Sequence, residues 1–268
     1  MRLRLVLAYL GTAYSGWQIQ EKPCPPPTIQ GRLEAALHRL TGRQIRIFGS
    51  GRTDAGVHAH AQVAHCDVPD ARAGQDWRRC LNALLPDDIR VLGAFPALPD
   101  FHARKDACCK TYVYQFWQEH AFIPPALTPF VWSCGPLDVA AMLAALPCLQ
   151  GEHDFASLQN AGTDIDGTVR RISHLELETM PQQSFYPTHA PLLRLRVTAN
   201  GFLKQMVRNI AGLVVACGRG KLDAGQIPTI LAACDRRALP SPTAPPGGLT
   251  LAQVEYPTHR LAIPHDPV

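Results

Sequence analysis

Large hydrophobic residues recur at every second position near the start of the chain, where Leu3, Leu5, Leu7 and Tyr9 alternate with Arg2, Arg4, Val6 and Ala8. A period of two is typical of a β-strand with one buried face. Similar runs predict six further strands, at 45–48, after Gly56, and at 89–95, 110–116, 175–178 and 193–197. A last strand, at 249–256, is predicted to form a sheet edge.

Hydrophobic residues three and four positions apart predict four helices, the first from Ile29, with Thr28 as its N-cap and Gly42 as its end. The second lies between Asp76 and Pro86, and the third spans 136–149. The fourth has a hydrophobic face that begins at Phe202 and continues through Met206, Ile210, Leu213 and Cys217. Lys204 and Arg208 lie four positions apart on its opposite side.

These elements do not follow the strict strand–helix–strand order of a doubly wound sheet. The expected fold class is therefore α+β, with largely antiparallel sheets. The composition changes around residues 96–104. We accordingly predict an N-terminal half at 1–104 and a C-terminal half at 105–268.

The composition is typical of a globular protein, since 46% of the 268 residues are hydrophobic. The apolar runs are shorter than the roughly 18 residues of a membrane span, and no signal-like segment begins the chain. Nine cysteines, scattered and odd in number, form no CxxC spacing, which favours reduced thiols over a disulfide framework or zinc site. We expect a cytoplasmic protein without a membrane partner.

The net charge of +4 is too small to indicate nucleic-acid binding by itself. Residues 1–104 carry 13 Lys+Arg against 9 Asp+Glu, whereas residues 105–268 carry 13 of each. The excess of positive charge therefore lies in the N-terminal half. It is consistent with a phosphate-binding surface or with an ordinary solvated face.

The segment Gly49–Cys66 contains the most informative chemistry, because Arg52-Thr53-Asp54 lies in a glycine-bounded turn. A nearby guanidinium keeps a carboxylate ionised, and an ionised, positioned carboxylate can act as a nucleophile. A surface turn with a weak ion pair is the alternative for an arbitrary Arg-x-Asp.

The eight residues Arg52–Ala59, RTDAGVHA, resemble the signature of the tRNA pseudouridine synthase A family, whose aspartate is the catalytic residue. Further segments resemble this family in the same order: 14–20, 101–104, 110–114, 151–157, 201–209 and 244–251. The resemblance thus extends from Tyr9 to Tyr256.

The resemblance implies that Asp54 is the catalytic nucleophile, that Tyr112 is the active-site tyrosine and that Arg208 pairs with Asp54. The phenol of Tyr112 would stack on a flipped uracil, with its hydroxyl placed for proton abstraction. The RNA-binding residues expected on this basis are Arg52, Arg104, Lys110, Tyr112 and Lys204.

The resemblance further implies two similar halves whose sheets join, helices on the outer faces, and an active site in the central cleft. The implied reaction is the isomerisation of uridine to pseudouridine at positions 38, 39 and 40 of the tRNA anticodon stem-loop. A homodimer is expected, with the tRNA reaching across both subunits. No metal, nucleotide or redox cofactor is expected, and the sequence contains no P-loop or GxGxxG motif.

Two alternatives belong to other functional classes. One is a catalytically silent protein that binds or folds tRNA on the same scaffold. The other is a metal-dependent hydrolase that uses His58, His60 and His65, although His65 is expected to face away from the other two on a strand.

Overall fold

The computed structural model describes residues 1–120, 122–162, 167–180 and 192–261. Ten strands lie in these residues: β1 (Arg2–Tyr9), β2 (Phe48–Gly49), β3 (His58–Asp67), β4 (Ile89–Pro96), β5 (Cys109–Trp117), β6 (Trp132–Ser133), β7 (Gly151–Asp154), β8 (Val169–Met180), β9 (Leu192–Ala199) and β10 (Leu249–Glu255). The same residues contain six α-helices: α1 (Ile29–Thr41), α2 (Trp77–Asn82), α3 (Val139–Ala145), α4 (Met206–Gly218), α5 (Ile227–Ala232) and α6 (Thr258–Leu261). None of these helices is long and apolar enough to cross a membrane.

The chain divides into two compact units. Met1–Lys110 and the segment from Leu251 onward form the first unit, and Thr111–Thr250 form the second. The chain therefore leaves the first unit within β5 and returns to it within β10.

The sheet of the first unit has the strand order β4-β1-β3-β10, with β2 also paired to β3. The pairs β1–β3, β1–β4 and β2–β3 are antiparallel. Leu3, Leu5 and Leu7 are fully buried, as the alternation predicted. The prediction of an edge strand at 249–256 was wrong, because Cys108 N donates to Glu255 O on the side of β10 away from β3.

Helix α1 begins and ends where its capping residues predicted. The Thr28 hydroxyl accepts a hydrogen bond of 3.2 Å from Gly31 N, a cap typically worth about 1 kcal/mol. At the other end Gly42 has φ +70°, the left-handed conformation that glycine adopts without a steric penalty.

The prediction of a strand over 45–48 was wrong except at its last residue. Two side chains of α1 bind the backbone of Ile47: Glu34 Oε1 accepts from Ile47 N at 3.0 Å, and Gln30 Nε2 donates to Ile47 O at 3.1 Å. Because these groups are already bound, Ile47 does not join the strand ladder. Pairing with β3 begins at Phe48.

The sheet of the second unit has the strand order β5-β9-β8-β7, and β6 pairs with β5 in parallel. The pairs β8–β9 and β7–β8 are antiparallel. The α+β class with largely antiparallel sheets is thus confirmed. Helix α3 is shorter than predicted, since it begins after the cap Asp138 and ends at Ala145.

Helix α4 begins at Met206, so the prediction that Phe202 and Lys204 lie on this helix was wrong. Gln205 stands immediately before the helix with φ +60°, a left-handed conformation that interrupts helical geometry. From Met206 onward the helix is almost entirely buried, and Arg208 lies in its first turn.

Candidate active site

Asp54 occupies a tight turn in the first unit. The N–H of Val57 donates to Asp54 O at 3.2 Å, which closes a four-residue turn. Gly56, the third residue, has φ +79°, which few residues other than glycine adopt. The turn leaves the Asp54 side chain half-buried directly before β3.

A buried polar network fixes the residues that precede Asp54. The hydroxyls of Tyr9 and Thr53 are hydrogen-bonded at 2.9 Å. Gln62, fully buried on β3, accepts from the Ser50 hydroxyl at 2.6 Å and donates to Gly51 O at 3.0 Å. Burial raises the pKa of Tyr9 to about 12, so its phenol is neutral at neutral pH.

The backbone of residues 14–17 packs directly against the same turn. Trp17 N donates to Thr53 O at 3.0 Å, and Gly56 N donates to Tyr14 O at 3.3 Å. Gly16 makes this approach possible, because a Cβ at that position would lie 2.5 Å from Thr53 O and its φ is +90°. The conformation of the turn is therefore set by contacts on both of its sides.

Lys110 contacts the segment that precedes the Asp54 turn. Its Nζ donates to Ser50 O at 2.6 Å, and a Cβ added at Gly51 would lie 3.3 Å from this nitrogen. Burial, with a smaller effect of the nearby Arg104 charge, lowers the pKa of Lys110 to about 8. One of the three ammonium donors is thus used to hold the backbone before Asp54.

Tyr112 lies in the second unit, on β5, with 8% of its surface exposed. Its ring packs edge-to-face against Phe202, with 5.1 Å between the ring centroids and an angle of 89°. Two positions along the strand, the Tyr114 hydroxyl donates to Pro245 O at 2.8 Å. The segments 202–205 and 243–248 are therefore both anchored to β5 by aromatic side chains.

Arg208 is bound to the segment that contains Ala244. Its Nε donates to Ala244 O at 2.8 Å, and Ala244 N donates to Arg208 O at 3.2 Å. Gly212, one turn later, permits this proximity, because a Cβ there would lie 2.2 Å from Pro242 O. The Nε donor of Arg208 is thus used inside the second unit, and the guanidinium is held in one orientation.

The cations expected to bind RNA differ in their exposure. Arg52, Arg104 and Lys204 are exposed, while Lys110 is half-buried. Lys204 donates from Nζ to Ala161 O at 2.7 Å. Arg52, two positions before Asp54, has an exposed side chain.

Two of the three histidines singled out by the sequence, His58 and His65, accept hydrogen bonds from backbone amides, and His60 is exposed. His58 Nδ1 accepts from Gly11 N at 3.0 Å, and His65 Nδ1 accepts from Ala103 N at 3.2 Å. Burial lowers the pKa of His65 to about 4, so its ring is neutral and has a structural role. Within the described ranges, no group of three or more His, Cys, Asp or Glu side chains is arranged to hold a metal ion.

Several residues of the site were not found by sequence reasoning. Tyr9 was recognised only as a strand residue, and nothing indicated that Gln62 or Ala244 would fix the backbone near Asp54 or the side chain of Arg208. Phe202 was assigned to a helix face, although it packs against Tyr112. Each of these roles depends on a partner far away in the chain, which local periodicity does not reveal.

Comparison with known proteins gives a consistent result. A family model described as tRNA pseudouridine synthase matches residues 5–104 and 145–257. A protein named tRNA pseudouridine synthase A from Nitratidesulfovibrio vulgaris (strain DSM 19637 / Miyazaki F) is 50% identical over 277 residues, covering 95% of this chain and 99% of that protein. Proteins of the same name from Lawsonia intracellularis (strain PHE/MN1-00) and Geobacillus kaustophilus (strain HTA426) are 50% and 41% identical, over 95% of this chain in each case and 99% and 94% of their own lengths.

Proposed function

The chain belongs to the tRNA pseudouridine synthase family, and on this premise we propose that it converts uridine to pseudouridine in the anticodon stem-loop of tRNA, at nucleotide positions 38, 39 and 40. The observation that carries the proposal is the half-buried Asp54, directly after a segment that is held in place. Tyr9 binds the Thr53 hydroxyl of this segment, and Gln62 and Lys110 donate to its backbone carbonyls. A preorganised carboxylate of this kind suits a reaction that begins with attack on a flipped nucleotide.

The proposed reaction is an isomerisation that balances without an external reagent. The bond between ribose C1′ and uracil N1 breaks, and a bond between C1′ and C5 forms. N1 then carries a proton, and the hydrogen of C5 leaves as a proton. No electron is gained or lost overall, so the chemistry requires a nucleophile, a base and charge stabilisation but no redox cofactor.

Asp54 is the proposed nucleophile. The target uridine is flipped out of its stack at a cost of a few kcal/mol, and the carboxylate then assists cleavage of the glycosidic bond. Arg208 supplies a positive charge that pairs with this carboxylate and orients it. Tyr112 stacks on the uracil and places its hydroxyl for removal of the C5 proton, which restores the aromatic ring.

The exposed cations are proposed to bind the tRNA backbone. Arg52, Arg104 and Lys204 present their charged groups to solvent, where phosphates can reach them. Lys110 retains two donors beyond the one bound to Ser50 O, and we include it among the RNA contacts.

We also propose a cytoplasmic homodimer. The nine cysteines are free thiols in the structure, as is usual for a reducing compartment. Light scattering of the purified chain at several concentrations would give the oligomeric state directly. A mass that stays at the 29.3 kDa of one chain would contradict the dimer.

The test of the function is tritium release from tRNA that carries 5-tritiated uridine, with no metal or cofactor added. Formation of the C1′–C5 bond expels the hydrogen of C5, so release reports the isomerisation itself. We expect release by the unaltered protein and none above background by Asp54→Asn, which keeps the shape of the side chain and removes its charge. Substrates that retain a single uridine at position 38, 39 or 40 would define which positions react.

Two results would overturn the proposal. No release by the unaltered protein, with tRNA binding intact, would favour a silent tRNA-binding protein. Equal release by Asp54→Asn and the unaltered protein would show that Asp54 is not the nucleophile.

A further inference from the structure

A cluster of polar side chains lies directly beside Arg208 in the second unit, and none of its members belongs to the proposed catalytic set. We propose that Asn160, Asn209, Arg236 and Thr243 act as one positioning cluster that fixes the orientation of the Arg208 guanidinium for the reaction. This inference rests on the proposed function, since it concerns how one residue of that site is held.

Thr243 is the centre of the cluster. Its hydroxyl donates to Asn209 Oδ1 at 2.7 Å and accepts from Asn160 Nδ2 at 3.1 Å. An Nη2 donor of Arg236 lies 3.4 Å from the same oxygen. One hydroxyl thus joins three segments of the chain, those that contain Asn160, Asn209 and Arg236.

The two asparagines complete the connections. Asn209 is fully buried, and its Nδ2 donates to Leu158 O at 2.7 Å and to Asn160 Oδ1 at 3.0 Å. Asn160 Nδ2 also donates to Gln205 Oε1, at the left-handed residue before α4. The start of the helix is therefore tied to the segment around residue 160.

Arg236 is held in the cluster by neutral acceptors. Its Nε donates to Asn160 Oδ1 at 2.9 Å, and its Nη1 and Nη2 donate to Leu239 O and Ser241 O at 3.3 and 3.5 Å. In the part of the chain that the structure describes, no carboxylate forms an ion pair with it. The Arg236 guanidinium thus donates to four acceptors, the Thr243 hydroxyl included, and its planar arrangement of donors fixes geometry in a way that a single lysine ammonium does not.

The cluster reaches Arg208 through two adjacent residues. Asn209 follows Arg208 on α4, and Thr243 precedes Ala244, whose carbonyl accepts from Arg208 Nε at 2.8 Å. The hydrogen bond between Thr243 and Asn209 therefore joins the same two segments as the bond between Ala244 and Arg208, namely residues 243–244 and the first turn of α4. If the 243–244 segment moves, the acceptor that orients the guanidinium moves with it.

The orientation of Arg208 has a direct chemical consequence. The hydrogen bond from Nε to Ala244 O restricts the rotation of the guanidinium, and so sets the direction in which its terminal nitrogens point. A guanidinium that rotates loses its two-point match to a carboxylate. Loss of the cluster should accordingly slow catalysis while tRNA binding is kept.

The test is a double-mutant cycle between Thr243→Val and Arg208→Lys, measured by single-turnover tritium release. Valine keeps the shape of threonine and removes only the hydroxyl that joins the cluster. We expect Thr243→Val to lower the rate constant about tenfold, as a small misplacement of a catalytic group can, with tRNA affinity changed less than twofold. In the Arg208→Lys background the same change should have less than a twofold further effect, because the oriented fork is already gone.

Two matched variants separate positioning from general destabilisation. Thr243→Ser keeps the hydroxyl and should keep the rate. Thr198→Val removes a comparable hydroxyl in the same unit, one that is hydrogen-bonded to the Thr111 hydroxyl at 2.8 Å. Both valine variants should lower the denaturation midpoint, but only Thr243→Val should lower the rate.

The outcomes distinguish this inference from the proposed function. If the unaltered protein is active and the effects of Thr243→Val and Arg208→Lys on the rate constant are additive, the positioning cluster is overturned but the proposed function is not. An unchanged rate in Thr243→Val, or equal losses in Thr243→Val and Thr198→Val, would overturn it as well. An unaltered protein without activity would overturn the proposed function and the inference with it.

Discussion

The Lys110 ammonium donates a hydrogen bond of 2.6 Å to the backbone carbonyl of Ser50, four positions before Asp54. A lysine that was expected to contact RNA thus also holds the backbone that leads to the proposed nucleophile. The arrangement has an energetic cost, because burial disfavours the charged form and lowers the pKa of Lys110 to about 8.

The first prediction concerns stability against pH. The folded protein binds the Lys110 proton less tightly than the unfolded chain, whose lysines have a pKa near 10.5. Between about pH 8 and 10.5 the unfolded state therefore holds more protons, and the contribution of Lys110 to the free energy of unfolding rises with pH. Lys110→Met should remove this rise, which amounts to at most roughly 3 kcal/mol.

Urea denaturation of the unaltered protein and of Lys110→Met at several pH values between 7 and 10.5 would measure this rise. The difference between their free energies of unfolding reports Lys110, because the contributions of the other titrating groups are common to both. Lys105→Met, at an exposed lysine, is the matched control and should follow the pH dependence of the unaltered protein. Parallel curves for Lys110→Met and the unaltered protein would contradict a buried ammonium at this position.

The second prediction compares two glycines with positive φ. Gly16→Ala should destabilise the protein and abolish most tritium release, because the new Cβ would lie 2.5 Å from Thr53 O and push the turn that contains Asp54. Gly42→Ala meets no atom within 4 Å and should cost only about 1 kcal/mol for the left-handed conformation. Thermal denaturation and release assays on both variants test this, and equal losses would show that the close approach at Gly16 is unimportant.

The sequence predicted those parts of the fold that depend on neighbours in the chain. Both ends of α1 follow from Thr28 and Gly42, because capping is a local interaction. The strand at 45–48 was wrong because Gln30 and Glu34 bind the backbone of Ile47, a competition between side chain and ladder that periodicity does not contain.

In the candidate site, too, the sequence predicted the local features and missed those that depend on distant residues. The turn at Asp54 was expected from its glycines, and Arg208 was correctly placed on a helix. The predicted helix began at Phe202, four residues before the observed start at Met206, because hydrophobic spacing does not reveal the left-handed conformation of Gln205. The contact between Tyr9 and Thr53 joins residues 44 positions apart, so it required the folded structure.

The third prediction concerns that contact. Tyr9→Phe leaves the Thr53 hydroxyl buried without its partner, and an unsatisfied buried group costs about 1–3 kcal/mol. Thr53→Val in addition to Tyr9→Phe should recover part of this loss, because both polar groups are then gone. Urea denaturation of the two single variants and the double variant measures the coupling, and a double variant as unstable as the sum of the singles would contradict the bond.

The last prediction concerns tRNA binding by the exposed cations. Arg104 is exposed, and its backbone N–H is bound to His102 Nδ1 at 3.1 Å, which fixes the turn that presents the side chain. If the guanidinium contacts a phosphate, Arg104→Gln removes one counterion-releasing contact. The slope of log binding constant against log salt concentration should then become shallower by about 0.7–0.9, with the single-turnover rate at saturating enzyme unchanged.

Arg78→Gln, which changes an exposed arginine on α2 of the same unit, should leave the slope unaltered. Identical slopes for Arg104→Gln and Arg78→Gln would show that Arg104 makes no phosphate contact, whereas a slower rate at saturation would place it in the chemistry instead of in binding.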